Sequence, residues 1–222
     1  MTEGVRLNRD QIAKRVAAEL QDGWLVNLGV GIPILAVNYI PEGRDVIFHS
    51  ENGIIGMGPR PADADIDTDL MSAGKGPVTL IPGAAFVHHA DSFAIARGGR
   101  LDAAILGAYQ VADNGDFANW RLPDQHVGGI GGAMDIAVGA QRVFVTMSQT
   151  DKAGTPKLVE ELTYPLTTRG CVTKVFTDMA VISVTPDGFV LDEVASGFTP
   201  GDIVDKTAAR LIVPDTVVTI AA

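Results

Sequence analysis

One acidic residue lies where a substrate-facing carboxylate is expected. The segment Phe48-His49-Ser50-Glu51-Asn52-Gly53 places Glu51 directly after a short apolar strand and two residues before a glycine. In open α/β sheets, ligands bind at the carboxyl ends of the strands, so this carboxylate is placed to meet a substrate. The alternative is a solvated charge that caps the following turn or pairs with an arginine.

Two further polar clusters resemble known sites only in part. Four aspartates alternate between residues 63 and 69, but no register gives the glycine and the closing glutamate of a calcium loop. We therefore expect a solvated loop and no bound metal ion. Residues 88–92 (HHADS) contain the residue types of a hydrolase triad, yet neighbours in sequence do not adopt the triad's geometry.

Glycine-rich turns and one cysteine give weaker signals. Residues 29–31 (GVG) follow a predicted strand, but Ile34 occupies the position of the third glycine in a dinucleotide fingerprint. Residues 129–131 (GIG) have Met134 at the same position. Both segments are therefore interpreted as structural turns, in which glycine supplies positive φ. Cys171 precedes an apolar strand, which favours a buried, inert thiol over a nucleophile.

Short apolar strands alternate with helices along most of the chain. A first helix is expected after the N-cap Asn8, with Gln11 completing a capping box. It places Ile12, Val16 and Leu20 on one face. The predicted strands are residues 25–28, 46–49, 78–81, 103–106, 142–147, 172–176 and 180–184, with a second helix from residue 33 to 39. Because these strands are uninterrupted apolar runs, we expect an open, mostly parallel α/β sheet covered by helices on both faces.

The C-terminal part has a different pattern. Residues 181–184 and 189–193 are expected to form a β-hairpin around Thr185-Pro186-Asp187-Gly188. A last helix is expected from Thr199-Pro200, with proline in its first turn and with Ile203 and Val204 facing inward. No linker or repeat interrupts the chain, so residues 1–222 are predicted to form one domain.

The composition excludes several classes of protein. The chain has 222 residues, of which 46% are apolar, and this fraction is too high for a disordered protein. Its formal net charge of −10 disfavours a nucleic-acid partner. The single cysteine and the absence of an apolar leader or membrane span indicate a cytoplasmic protein with no membrane partner.

The segment around Glu51 resembles the active-site signature of the B subunit of the 3-oxoacid (family I) CoA-transferases. The likeness covers about residues 5 to 210. Further segments resemble the same kind of chain in order: Gly29-Val30-Gly31-Ile32-Pro33, Ala73-Gly74-Lys75, Arg97-Gly98-Gly99, Gly115-Asp116-Phe117-Ala118-Asn119-Trp120, Gly131-Gly132-Ala133-Met134-Asp135 and Tyr164-Pro165-Leu166-Thr167.

This resemblance implies that Glu51 is the nucleophile of a ping-pong reaction through a glutamyl-CoA thioester. It implies an oxyanion-binding N–H at Gly132, with Ala133 nearby and Gly131 beside the substrate. Lys75 is expected near the CoA, where the alternative is an ordinary surface lysine. Asn52 is expected either to orient Glu51 or to hold its turn. Coenzyme A thioesters are then substrates, and no tightly bound cofactor is expected.

The resemblance also implies a missing half. Nothing in the chain matches the glycine-rich signature of the family's A subunit, so a separate A subunit is expected, in an α₂β₂ assembly. Residues 88–93 look more like the 3-oxoadipate enzymes, whereas residues 121–123 look more like the acetoacetate enzymes. We expect 3-oxoadipate as acceptor and succinyl-CoA as donor, with acetoacetate as the alternative.

Two points stay open at this stage. His88 and His89 are candidates for binding a distal carboxylate, but a structural histidine pair accounts for them equally well. The same type of fold also hosts sugar-phosphate isomerases and ligand-sensing domains, and an acyl-CoA hydrolase would need only water to intercept the anhydride. These are the more remote alternatives.

Overall fold

A computed structural model of the chain describes residues 4–220, so residues 1–3 and 221–222 of the predicted domain lie outside the described residues. The helices are α1 (Arg9–Ala17), α2 (His89–Arg97), α3 (Ala133–Gly139) and α4 (Pro200–Val204), with 3₁₀ helices at Pro33–Asn38 and Asp63–Asp65. The strands are β1 (Leu25–Leu28), β2 (Ile47–Ser50), β3 (Ile54–Met57), β4 (Leu80–Phe86), β5 (Ala103–Gly107), β6 (Gln110–Ala112), β7 (Phe117–Ala118), β8 (Val143–Thr146), β9 (Leu158–Val159), β10 (Val172–Phe176), β11 (Ala180–Thr185), β12 (Gly188–Ala195), β13 (Leu211–Ile212) and β14 (Val218–Ile220).

The main sheet has a parallel centre and antiparallel flanks. Within residues 4–220 its order is β13-β12-β11-β10-β8-β5-β1-β2-β3-β4, with β14 also on β12. The five strands from β10 to β2 are parallel to their neighbours, whereas β3 and β4 continue the sheet antiparallel on one side and β11 and β12 on the other. The mixed, mostly parallel α/β sheet is the one expected. A separate small sheet, in the order β7-β6-β9, lies after β5 in sequence.

Alternate residues of the central strands enter two different hydrophobic cores. On β5, Ala104 and Leu106 belong to one core and Ala103 and Ile105 to the other, and all four are buried. The first core includes residues of α3, and the second includes the buried face of α1. Because side chains alternate across a strand, the two cores lie on opposite faces of the sheet. Helices therefore cover both faces, as the unbroken apolar strands indicated.

Both ends of the chain contain predicted capping and turn features. Asn8 accepts a hydrogen bond from the Gln11 backbone, and the Gln11 side chain accepts one from the Asn8 backbone, which completes the capping box. The hairpin of β11 and β12 closes with Thr185 opposite Gly188, as expected.

Thr199 caps α4, but the inward position predicted for Val204 is wrong. Ile203 is buried, whereas Val204 is 44% exposed, because α4 is only five residues long and presents one side to the core.

Several predicted element boundaries differ from the structure by one or more residues, and three of the differences lie in the N-terminal half of the chain. The second predicted helix, residues 33–39, is a 3₁₀ helix, and it ends one residue earlier, at Asn38. The second strand is shifted by one residue, to Ile47–Ser50. The third predicted strand, residues 78–81, overlaps β4 (Leu80–Phe86) only at residues 80 and 81, and β4 is mostly exposed because it lies at the edge of the sheet.

None of the helices within residues 4–220 has both the length and the hydrophobicity needed to cross a bilayer.

Candidate active site

The carboxyl ends of four parallel strands open into one cleft. The cleft has a volume of about 530 Å³. It is lined by Asn27 of β1, Glu51 after β2, Gly107 of β5 and Thr146 of β8, together with the loop before α3. Because parallel strands end on the same edge of the sheet, residues distant in sequence meet here. Glu51 therefore lies where the sequence predicts it, at a substrate-sized opening.

A tight turn holds Glu51 at the rim of this cleft. The Gly53 N–H donates to the Ser50 carbonyl at 2.9 Å, so Glu51 and Asn52 occupy the two central positions of the turn. Gly53 has φ +122°, and a Cβ there would lie 2.3 Å from the carbonyl oxygen of Val87. The Val87 N–H donates back to the Gly53 carbonyl at 2.9 Å. Glycine is required because two backbones approach each other closely at this point.

A buried chain of polar side chains holds the Glu51 carboxylate. Asn27 Nδ2 donates to Glu51 Oε2 at 3.1 Å. The same nitrogen lies 3.1 Å from His49 Nδ1 and 3.2 Å from the His49 carbonyl oxygen. His49 Nε2 in turn lies 2.8 Å from the Ser92 hydroxyl. Asn27, His49 and Ser92 are fully buried, so the carboxylate rests on an internal and rigid support.

The hydrogen bonds also define the state of His49. Burial lowers the pKa of His49, although the nearby Glu51 carboxylate opposes this effect. Since Nδ1 accepts from Asn27 in this arrangement, the proton of a neutral ring is on Nε2, which donates to Ser92. The orientation of the Asn27 amide follows from the Glu51 carboxylate and the His49 carbonyl oxygen, because the reversed amide would direct its oxygen at two groups that can only accept.

The residues on either side of Glu51 hold a second loop. Ser50 Oγ accepts a hydrogen bond from the Ala73 N–H at 2.9 Å, and Asn52 Nδ2 donates to the Met71 carbonyl at 2.7 Å. Lys75 is exposed in this loop and has φ +63°. Neither Asn52 nor Lys75 lines the cleft. Of the two roles predicted for Asn52, the side-chain contact corresponds to holding the turn, whereas Asn27 contacts the Glu51 carboxylate.

The segment from Gly131 to Ala133 forms another part of the cleft wall. Gly131 has φ +55°, and Gly132 is the N-cap of α3. A Cβ on Gly132 would lie 2.9 Å from Cζ of Phe93, so the backbone packs directly on that ring. Within the described part of the chain, the Gly132 N–H donates to no backbone carbonyl. The structure thus brings these residues and Glu51 to the same cleft, as predicted.

The two histidines after β4 do not line the cleft. His88 is the N-cap of α2, and its Nδ1 accepts a hydrogen bond from the Ala90 N–H at 3.2 Å. The His89 ring packs against Phe93, with 4.9 Å between the ring centroids. Of the two roles left open for this pair, their contacts correspond to the structural one.

Sequence reasoning missed several polar residues of the cleft, among them Asn27, Thr146 and Lys157. Asn27 follows two apolar residues in β1, and a polar residue in a buried strand was the only available signal. Thr146 is buried, and its hydroxyl has no hydrogen-bond partner among residues 4–220. Lys157 lines the cleft between two loops, and nothing in its local sequence indicates this position.

Comparison with known proteins identifies a family. A model of the coenzyme A transferase family matches residues 9–206. The chain is 48% identical over 209 residues to the B subunit of 3-oxoadipate CoA-transferase from Acinetobacter baylyi, and the match covers 93% of this chain and 96% of that protein. It is 51% identical over 197 residues to the protein of the same name from Pseudomonas putida, at 88% and 92% coverage. The B subunit of succinyl-CoA:3-ketoacid coenzyme A transferase from Helicobacter pylori is 43% identical over 202 residues, at 91% and 97% coverage.

Solved structures show the same fold. Apo acyl-CoA transferase YdiF from Escherichia coli O157:H7 superposes with a TM-score of 0.76 at 21% identity, over 97% of this chain and 43% of that one. This chain therefore spans less than half of the YdiF chain. Glutaconate coenzyme A-transferase from Acidaminococcus fermentans gives a TM-score of 0.71 at 17% identity, over 99% of this chain and 91% of that one. With a family model that matches most of its length and relatives at about half identity, the chain belongs to the coenzyme A transferase family.

Proposed function

We propose that this chain is the B subunit of an enzyme that transfers CoA from succinyl-CoA to 3-oxoadipate through a glutamyl-CoA thioester on Glu51. The observation that carries the proposal is the Glu51 carboxylate, which lines the cleft at the carboxyl edge of the sheet and is held by Asn27. The family assignment supplies the reaction class.

The chemistry needs only carboxylates and a thiolate. Glu51 attacks the thioester carbonyl of the acyl-CoA, the C–S bond breaks, and CoA thiolate leaves a mixed anhydride. The thiolate then attacks the glutamyl carbonyl, which releases the first acid as its carboxylate and leaves Glu51 as a CoA thioester. The acceptor carboxylate then attacks the glutamyl thioester and displaces CoA thiolate. The thiolate attacks the acyl carbonyl of the new anhydride, which gives the new acyl-CoA and restores Glu51. The thioester bond energy is retained because no step uses water.

Each attack forms an oxyanion, for which we propose the backbone N–H of Gly132 as donor and Ala133 as its neighbour. Gly131 lets the chain turn into the cleft with positive φ. A preorganised donor of this kind contributes about 3 kcal/mol to transition-state stabilisation. The carboxylate is a weak nucleophile, and binding of the remote part of CoA supplies further stabilisation at the reacting end.

Lys75 is proposed to bind the CoA phosphates outside the cleft. It is exposed, and the loop that carries it is attached to the residues on both sides of Glu51. Asn52 then serves binding indirectly, since its amide holds this loop. Such a local cation reconciles a phosphate-rich substrate with a chain of net charge −10.

The choice of acceptor rests on the relatives. The proteins from Acinetobacter and Pseudomonas are named for 3-oxoadipate and are 48 to 51% identical, whereas the Helicobacter protein is named for 3-ketoacids and is 43% identical. We therefore propose 3-oxoadipate, with acetoacetate as the second candidate. All three relatives are named as B subunits, which supports a separate A subunit for this chain, and we propose an α₂β₂ complex.

The proposal is tested with the complex of both subunits. Incubation with succinyl-CoA alone is expected to leave CoA on Glu51, which borohydride reduction or hydroxylamine trapping fixes for peptide mass spectrometry. The variant Glu51→Gln is expected to lose adduct and transfer, and Glu42→Gln, which changes an exposed glutamate outside the cleft, is expected to retain both. Transfer that persists with an unmodified Glu51 would contradict the mechanism. Rates with 3-oxoadipate and acetoacetate then decide the acceptor.

A further inference from the structure

Lys157 lies in the wall of the cleft that contains Glu51, and nothing in the chemistry above uses it. The residue precedes β9, and its backbone N–H donates to the Gln149 carbonyl at 3.1 Å. Its ammonium group lies 3.5 Å from the Ser148 hydroxyl, just beyond the carboxyl end of β8. Lys157 also lines a smaller adjoining pocket of about 230 Å³, so it separates the two cavities.

This ammonium group has no anionic partner among residues 4–220, because no carboxylate there lies within 4.0 Å of it. The charges of Asp178 and Asp151 favour the protonated form of Lys157, but both carboxylates have other partners. Asp178 pairs with Arg6 at 2.8 Å and accepts the Gln149 N–H at 2.7 Å. Asp151 accepts backbone N–H groups of its own loop.

The partly buried position of the lysine makes this lack of a partner unfavourable. Burial lowers the pKa of Lys157, since a charged ammonium group loses hydration in the cleft wall. A bound anion would compensate for that loss, and it would do so more strongly here than at an exposed lysine. The cleft therefore offers a site for a negative group at some distance from Glu51.

The positions of the two residues indicate which anion fits. Glu51 follows β2 and Lys157 lies beside the end of β8, and the strands β1 and β5 separate them in the sheet. At about 4.8 Å per strand, the ends of β2 and β8 lie about 14 Å apart, and the side chains of Glu51 and Lys157 both line the cleft between them. An acyl chain of four to six carbons has three to five C–C bonds of about 1.5 Å, and its zigzag shortens the end-to-end span to about 4 to 6 Å. An acyl group that reacts at Glu51 thus extends toward the opposite wall.

We propose that Lys157 is a specificity-determining residue whose ammonium group binds the carboxylate at the far end of the acyl group. It would then select thioesters and acceptors derived from dicarboxylic acids, such as succinyl-CoA and 3-oxoadipate, over those of monocarboxylic acids. This inference rests on the proposed function, because it assumes that acyl groups react at Glu51.

A CoA phosphate offers the same anionic chemistry, and the test separates the two sources. The complex of both subunits is treated with succinyl-CoA, which has a far carboxylate, or with acetoacetyl-CoA, which has none. Both carry the same phosphates. In Lys157→Met, we expect the preference for succinyl-CoA in adduct formation to fall at least about tenfold, the scale of a lost charged hydrogen bond. Lys157→Arg is expected to restore part of it. The control Lys152→Met changes an exposed lysine of the adjoining pocket and is expected to leave the preference unchanged.

An equal loss with both thioesters would overturn the inference in favour of CoA binding or of a structural role, and an unchanged preference would also overturn it. If the wild-type complex forms no adduct with either thioester, the proposed function fails instead. Calorimetric binding of succinate then decides about Lys157. Weaker binding in Lys157→Met supports the inference, and equal affinity in both proteins overturns it.

Discussion

At the scale of single residues, the position of the Glu51 carboxylate depends on one buried amide. Asn27 is the side chain that contacts the Glu51 carboxylate, and it also contacts His49. Asparagine suits this position because its NH₂ group supplies donors to several acceptors at once. Its Oδ1 is buried without a partner among residues 4–220, so the orientation of the amide is maintained by the acceptors alone.

Removal of this amide is expected to affect the reaction more than substrate binding. In Asn27→Ala, Glu51 loses a hydrogen bond to its charged form, which is worth about 1.5 to 3 kcal/mol. We expect kcat to fall about 10- to 100-fold while KM for the thioester changes little, and steady-state kinetics of the complex measures both. A rise in KM with kcat intact would show that Asn27 supports binding instead.

The buried histidine predicts a dependence of stability on pH. Burial lowers the pKa of His49, so below the unperturbed pKa the unfolded chain binds a proton at this residue more readily than the folded chain does. The free energy of unfolding is therefore expected to be highest above about pH 6.5, the unperturbed value, and to fall as the pH drops below it. Urea denaturation between pH 5.5 and 7.5 measures this slope.

The matched variants for this measurement are His49→Gln and His126→Gln. The first should reduce the slope below pH 6.5, although the protein is expected to be less stable at every pH because a buried side chain changes. The second alters an exposed histidine and should keep the wild-type slope. Equal slopes in all three proteins would show that another group titrates.

Cys171 is expected to be unreactive in the folded protein. Burial raises its pKa to about 12, so at pH 8 about one thiol in 10⁴ is ionised, and the thiolate is the reactive form. A colorimetric disulfide reagent should react slowly with the native chain and rapidly in guanidinium chloride. Fast labelling of the native protein would show that the thiol is accessible and ionised.

At the scale of elements, the turn from Ser50 to Gly53 depends on its glycine for two separable reasons. Gly53 has positive φ, and it also contacts the backbone of Val87. Gly43 has φ +80°, and a Cβ at this position would have no atom within 4 Å. An alanine there therefore measures only the cost of positive φ. Comparison of alanine variants at the two positions therefore measures the close approach itself.

Gly43→Ala is expected to destabilise the protein by about 1 kcal/mol, the strain of a left-handed alanine. Gly53→Ala should destabilise it by about 3 kcal/mol or more, because the β2–β3 turn must also move away from Val87. Chemical denaturation gives both values. Similar decreases in the free energy of unfolding at the two positions would mean that the turn moves away from Val87 at little energetic cost.

Elements were predictable where the signal is local. The capping box at Asn8 and the hairpin turn before Gly188 depend on residues within four positions of one another, and both were confirmed. Val204 was misjudged because the helical pattern does not show how short α4 is. A helix was expected from residue 33, but the 3₁₀ type of Pro33–Asn38 was not predicted, since proline is tolerated at the start of either helix type.

The site was predictable only in part, for the same reason. The position of Glu51 follows from the end of β2, and Gly131 to Ala133 were indicated by the family resemblance. Asn27 was not found, because its contact with Glu51 crosses 24 residues of sequence and requires the alignment of β1 beside β2. Lys157 was missed because its loop meets β8 only in the folded chain.

At the scale of the whole molecule, the chain presents an open cleft and a long, exposed edge strand. The cleft contains Glu51 at its rim, and β4 leaves residues such as Phe86 69% exposed. If the proposed A subunit completes the site, this chain alone should form no glutamyl-CoA adduct, and addition of the A subunit should restore it. Mass spectrometry of the isolated chain with succinyl-CoA tests this, and an adduct on the chain alone would show that the first half-reaction needs no partner.

The loop of Lys75 is physically connected to the turn that carries Glu51. Since Ser50 and Asn52 flank Glu51 and each forms a hydrogen bond to that loop, a displacement of the loop acts on the turn that carries Glu51. A ligand that binds to the loop and displaces it would therefore also change the position of Glu51. Such coupling is reciprocal, so formation of a thioester on Glu51 would change the affinity of the loop for its ligand. If the loop binds CoA and Glu51 attacks the thioester, as proposed, this turn links the binding of CoA to the position of the attacking carboxylate.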